Sequence, residues 1–254
     1  MWYSLLAYIK FLFKSTNQHG VHSPFVYHLV TQCFYDKTKH PEYEVLKTYR
    51  KALLKNNTKI SITDLGPGSK KTASKQRLVS EIAKTSGSSL KRTQLLFRLS
   101  TYFKSPTVLE LGTSLGLATQ AMHLGHRHSK ITTIEGCPNL SAFTKSQINN
   151  ENICFKTGDF SDVLETLTQP SFDIVFFDGN HTQEATMAYF ETLLPKAHNN
   201  TLFIFDDIYW SKGMTAAWET IKNHPKVTVT IDTYFWGFVF FRKEQAKEHF
   251  TVRL

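Results

Sequence analysis

From Thr107 onward the chain alternates two hydrophobic rhythms. Short runs rich in β-branched and aromatic residues cover Thr107–Leu111, Lys130–Glu135, Ile153–Thr157, Phe172–Asp178 and Thr201–Asp206. Helical patterns begin near Ser114, Pro138, Ser161, His181 and Ser211. Strand and helix in turn predict βα units on a parallel sheet. After Pro225, the runs Val227–Ile231 and Phe235–Phe241 are separated by a short connection, which only antiparallel neighbours allow. The expectation is a doubly wound α/β fold of five parallel strands with a C-terminal antiparallel pair.

Upstream the rhythm is different. Trp2 to Phe13 is apolar almost all round, broken by Lys10 and closed by Lys14. It is too short to span a bilayer, which takes roughly 20 apolar residues, and lacks the flanks of a signal peptide. Its residues predict a helix packed on the domain or on a second copy, and an interfacial membrane helix is disfavoured without a clean polar face. His19 to Pro24 reads as a turn, and Phe25 to Phe34 as helical. Lys59 to Leu65 alternates like a strand, whereas Ser74–Ala83 and Ser89–Phe103 read as helices, the second with a stripe through Leu95, Leu96 and Leu99. The chain therefore divides into a helical, substrate-covering segment at 1–104 and a ligand-binding α/β domain at 105–254.

Composition changes this picture little. The 254 residues are 41% hydrophobic and 20% charged, as in an ordinary globular protein. The net charge of +9 is scattered, with one denser stretch: Lys70, Lys71, Lys75, Arg77, Lys84, Lys91 and Arg92. Cys33, Cys137 and Cys154 fit neither a zinc pattern nor a disulfide framework, which points to a reducing cytoplasm.

The strand ends carry the chemistry. The first strand turns through Glu110-Leu111-Gly112-Thr113-Ser114-Leu115-Gly116 into a helix. Gly112 allows a ligand close to the backbone, and Gly116 permits tight helix packing. The Gly-x-x-x-Gly spacing lacks the fingerprint that seats a dinucleotide diphosphate, and an acidic strand residue suits a ligand carrying an amino acid. Glu135 closes the second strand about 20 residues later, where a carboxylate can accept from ribose hydroxyls. Asp159 follows the third strand; it can accept from an adenine amino group with Phe160 against the base, or cap the next helix. Asp178 closes the fourth strand and Asp206-Asp207 the fifth, an oxygen-rich set suited to Mg²⁺ or another divalent cation. The alternative has Asp178 on a ligand amine and Asp207 capping a helix. His181 lies three residues after Asp178, and a neutral imidazole there can act as a general base. Asp64-Leu65-Gly66-Pro67-Gly68 imitates a cofactor loop, but Pro67 removes a donor; residues 64–75 suit a substrate-covering loop better.

In their order and spacing, ELGTSLGLAT, IEG, GDF, FDIVFFDGNH and FIFDDIYWS resemble the class I S-adenosylmethionine-dependent methyltransferases. More narrowly they resemble the metal-dependent O-methyltransferase branch of the catechol and caffeoyl-CoA enzymes, over about Thr107 to Phe241. The resemblance implies a Rossmann-like sheet and cofactor contacts from Gly112, Ser114, Glu135 and Asp159. It implies a metal on Asp178 and Asp206, although Asp207 stands where that branch has Asn. His181 stands where the catechol enzymes carry a lysine base. HGVHSPF lies outside the shared core.

The resulting expectation is O-methylation of a small hydroxylated molecule with S-adenosylmethionine, with or without a metal. His181 and Asp178 are the catalytic residues, and Glu110, Gly112, Thr113, Ser114, Gly116, Glu135, Asp159, Phe160 and Asp178 surround the cofactor. Asp178, Asp206 and Asp207 form the metal set, and a homodimer is the candidate assembly. Methylation of nucleic acid or protein, or cofactor binding without turnover, are the alternatives; DGNH in place of an Asn-Pro-Pro-aromatic loop speaks against nucleic acid.

Overall fold

The computed structural model describes residues 2–63, 75–85 and 88–254. The imitation glycine loop, Lys70 and Lys71, and all but Lys75 of the expected covering loop lie outside the described residues. The chain folds as two compact units, Met1–Asp36 with Gln169–Leu254, and Lys37–Thr168.

The first unit opens with α1 (Trp2–Lys14). Its α2 (Pro24–Leu29) starts at Ser23, whose hydroxyl accepts from the Val26 amide, and runs on as a π-helical turn over Val30–Phe34. HGVHSPF thus finds a structural role. Ser23 also donates to Gln245, Phe25 packs on Phe240, and the Arg242 guanidinium lies 4.5 Å from the Phe25 ring centre. Thr16 forms a bridge to Val252, closing the N-terminal segment onto the end of the chain.

The second unit begins with α3 (Glu42–Leu54) and an antiparallel hairpin of β1 (Lys59–Ile62) and β2 (Lys75–Leu78). Then come α4 (Val79–Thr85) and α5 (Leu90–Phe103), whose Leu95, Leu96 and Leu99 are buried as their spacing predicts. The helix expected at Ser74–Ala83 is half strand, since Lys75–Leu78 finds a partner in β1 that local pattern cannot reveal. Next are β3 (Thr107–Leu111), α6 (Leu117–Gly125), β4 (Lys130–Glu135), α7 (Pro138–Gln147), β5 (Ile153–Thr157) and α8 (Phe160–Glu165). β3 and β5 each pair with β4 in parallel, so their C-terminal ends share one edge. One core cluster in this unit joins Leu53, Ile60, Val79, Ile82, Leu115, Leu117 and Leu140.

The first unit resumes with β6 (Phe172–Phe177), α9 (Gln183–Leu193), β7 (Ala197–Asp206) and α10 (Lys212–Asn223). β8 (Val229–Asp232) and β9 (Trp236–Phe240) are the expected antiparallel pair, and β10 (Glu248–Thr251) adds a parallel strand beside β8. β6 and β7 are parallel. They are apolar on both faces, as strands covered on both sides require, and Phe177 stacks on Phe205 at 4.2 Å. The fold is the doubly wound α/β arrangement, with five strands making parallel pairs before the antiparallel end.

The packing expected around α1 is realised on one face only. Among α1 residues Phe11 alone is buried, while Trp2, Leu5, Leu6, Tyr8, Ile9 and Phe13 are exposed.

Candidate functional site

In the second unit the chain leaves β3 through a turn of left-handed residues: Gly112 at φ 105°, Ser114 at 47° and Gly116 at 72°. Any other residue at Gly116 would be strained and crowded. A Cβ there would stand 2.5 Å from Ile148 Cδ1 and 2.7 Å from Thr144 Cγ2. The amides of Gly112 and Thr113 both donate to the Ile134 carbonyl, and Thr144 Oγ1 donates to the Ser114 carbonyl at 2.7 Å. Glu135 completes the closure: one carboxylate oxygen accepts from the Ser114 amide at 2.8 Å and the other from the Cys137 amide at 3.0 Å. Burial raises the Glu135 pKa, partly offset by these amides. Each oxygen retains a lone pair for a ligand hydroxyl.

Glu110 lies fully buried under this turn. One of its oxygens accepts from both Thr119 and Thr133, the latter at 2.6 Å; the other has no hydrogen-bond partner. Thr113 shares a hydrogen bond with the same Thr133 at 2.6 Å. Burial pushes the Glu110 carboxyl up to about 7. At the end of β5, Asp159 caps α8 by accepting from the Ser161 amide at 2.8 Å, with Phe160 half-buried beside it. The capping alternative is thus realised, and it uses one of the two Asp159 oxygens.

This half therefore lines one sheet edge with carboxylates and no basic residue between Gly112 and Gly116. Such a set fits a ligand that presents donors, as ribose hydroxyls, an adenine amine and an ammonium do. It does not fit a diphosphate.

In the first unit, Asp178 follows β6 and Asp206 ends β7. Ligand atoms of Asp178, His181 and Asp206 lie within 4.8 Å of one another. His181 Nε2 is 3.8 Å from Asp178 Oδ1, and both side chains are partly exposed while Asp206 is buried. Asn180, at φ 52°, turns the chain between them and donates to the Tyr189 hydroxyl at 3.1 Å; Thr182 then caps α9. Asp207 is outside this cluster. It takes a left-handed φ of 52° and its amide donates to the Phe235 carbonyl, which turns the chain away from the strand end. Among the described residues it is His181, and not Asp207, that lies within 4.8 Å of both Asp178 and Asp206. Proximity in sequence hid this, because His181 reads as a base after Asp178 and not as a third member of a ligand set.

Residues 109–208 match the family model described as Methyltransferase domain. A methyltransferase domain is thus matched over the central stretch of the chain, 109–208. Solved structures repeat its architecture. A methyltransferase of Podospora anserina, PaMTH1, bound to S-adenosylhomocysteine, has 14% identity and a TM-score of 0.60, covering 88% of this chain and 98% of its own. An O-methyltransferase of Bacillus cereus in complex with S-adenosylhomocysteine has 19% identity and a TM-score of 0.54, covering 83% and 95%. The O-methyltransferase TomG of Streptomyces achromogenes, solved with S-adenosylmethionine, has 19% identity and a TM-score of 0.53 over 61% and 81%. No curated protein matches the chain. The chain thus has the fold of these methyltransferases.

Proposed function

We propose that the chain transfers a methyl group from S-adenosylmethionine to a hydroxyl of a small molecule. The observation that carries this reading is the Asp178–His181–Asp206 cluster, in a chain whose other unit has the carboxylate-closed glycine turn. S-adenosylmethionine supplies the methyl group from its sulfonium when bound. Glu135 would hold the ribose hydroxyls, the second oxygen of Asp159 the adenine amine, and Phe160 would pack on the base. The turn Gly112–Gly116 receives the amino-acid end, with Glu110 holding the turn in shape through Thr119 and Thr133. The His181 imidazole would take the proton that the acceptor hydroxyl loses on methylation. Asp178 beside that ring stabilises the imidazolium. The likeness to the O-methyltransferases of Bacillus cereus and Streptomyces achromogenes supports an oxygen acceptor.

A divalent ion is the second reading of the same cluster. Two carboxylates and one imidazole fit a borderline ion such as Mn²⁺ better than Mg²⁺, which prefers oxygen alone. Such an ion would make the acceptor hydroxyl more acidic. The two readings compete, since an imidazole bound to a metal has lost the lone pair it needs as a base.

Transfer of labelled methyl to a panel of phenols and catechols tests both, after chelation and after Mn²⁺ or Mg²⁺ is restored. Turnover indifferent to chelator leaves His181 as the base; turnover restored by Mn²⁺ makes it a ligand. A chain that binds no S-adenosylmethionine by calorimetry would end the proposal.

A further inference from the structure

α1 has two apolar faces with different fates. At 100° per residue, Trp2, Leu5, Leu6, Ile9 and Phe13 fall within an arc of about 100°. They are 79%, 51%, 56%, 42% and 88% exposed. The opposite face is anchored. Tyr8 and Phe11 rest on the Tyr234 ring at 4.8 and 5.7 Å, the Tyr234 hydroxyl donates to the Ser4 carbonyl at 2.8 Å, and Arg253 donates to the Leu12 carbonyl at 3.0 Å. The stripe is therefore held outward by contacts behind it. Exposed Lys10 and Lys14 flank it, α1 contains no acidic residue, and neither lysine meets a carboxylate among the described residues.

We infer that α1 docks the protein on an anionic lipid surface, lying in the interface plane. No helix among the described residues is long and apolar enough to cross a membrane, so the stripe would enter only the headgroup–acyl boundary. There Trp2 and Phe13 are at home and the lysine stems reach back to headgroups. Charge decides between this occupant and a second copy. Pairing two α1 helices would bring four lysines and two chains of net charge +9 together, whereas acidic lipid complements them.

The inference rests on α1 and not on methyl transfer, so the two fail separately. The test is flotation of the full-length chain with phosphatidylglycerol–phosphatidylcholine vesicles, against vesicles of phosphatidylcholine alone. The expected result is binding to the anionic vesicles, weakened at least about tenfold in the double variant Leu6→Asp/Ile9→Asp and weakened by salt or by Lys10→Gln/Lys14→Gln. Both aspartates replace exposed residues, and circular dichroism with adenosylmethionine calorimetry confirms that the variant folds. Failure to float, or equal flotation of the aspartate variant, overturns the inference. A dimer seen by sedimentation without lipid, and made monomeric by the same aspartates, assigns the stripe to a second copy instead.

Discussion

The glycine turn of the second unit and the acidic cluster of the first are built on opposite plans. Around Gly112–Gly116 most polar atoms are already answered from within the fold: Glu135 by two amides, Thr144 by the Ser114 carbonyl, and one oxygen of Glu110 by two threonines, its other oxygen having no partner. At Asp178–His181–Asp206 the side chains converge on one another, and His181 and Asp178 are partly open to solvent. A closed turn of this kind keeps its shape with or without a ligand, which suits a ligand that does not vary. A converging set of side chains takes its final arrangement from what enters it, which suits an acceptor chemistry settled by a proton or an ion.

Removing the imidazole should break the comparison on the open side. His181→Ala is expected to cut turnover roughly 10²- to 10⁴-fold with adenosylmethionine affinity nearly intact. The acidic limb of the pH–rate profile should vanish with it. Near-normal turnover with an unchanged profile would leave His181 as a helix-start residue.

The closed side should show itself in its pH dependence. With its carboxyl held up to about 7, Glu110 keeps a proton in the native state that the unfolded chain has already released above the ordinary carboxylate range. Stability should therefore fall as pH rises through that window, by about 3 kcal/mol once both states are ionised. Urea unfolding between pH 5 and 8 should show this slope, and Glu110→Gln should flatten it. Parallel slopes for the two proteins would remove Glu110 as its source.

Glu135→Ala comes next, with an expected loss of about 1.5 to 3 kcal/mol in adenosylmethionine binding measured by calorimetry. Smallest is Asp207→Asn. Outside the cluster and in a backbone conformation that Asn tolerates, it should change stability and metal response by less than about 0.5 kcal/mol. A larger effect on Mn²⁺ rescue would return Asp207 to the ligand set.

How much of this was legible in the chain follows from where each signal sits. Thr107–Leu111, Gly112, Gly116 and Glu135 form a local pattern, and strand, turn and strand end appeared as spacing predicts. The helix starts near Pro138, Ser161 and Ser211 carry their own start signals and were equally readable. What depends on remote partners was not. β2 needs β1, β10 needs β8, and Glu248–Thr251 is too polar to announce an edge strand. Glu110 reads as a ligand group until Thr119 and Thr133 are seen closing on it. α1 is apolar almost all round in sequence, so only Tyr234, more than 200 residues away, shows which face is outward.

The bridge between Thr16 and Val252 has a consequence for biosynthesis. Residues 37–168 can close as a unit while the ribosome is still at work, but α1 must wait for Tyr234 and Arg253. At about 5 to 20 residues per second, that wait lasts roughly 10 to 50 s. Throughout it Tyr8 and Phe11 are as uncovered as Leu6 and Ile9, so the earliest helix off the ribosome is the last to be seated.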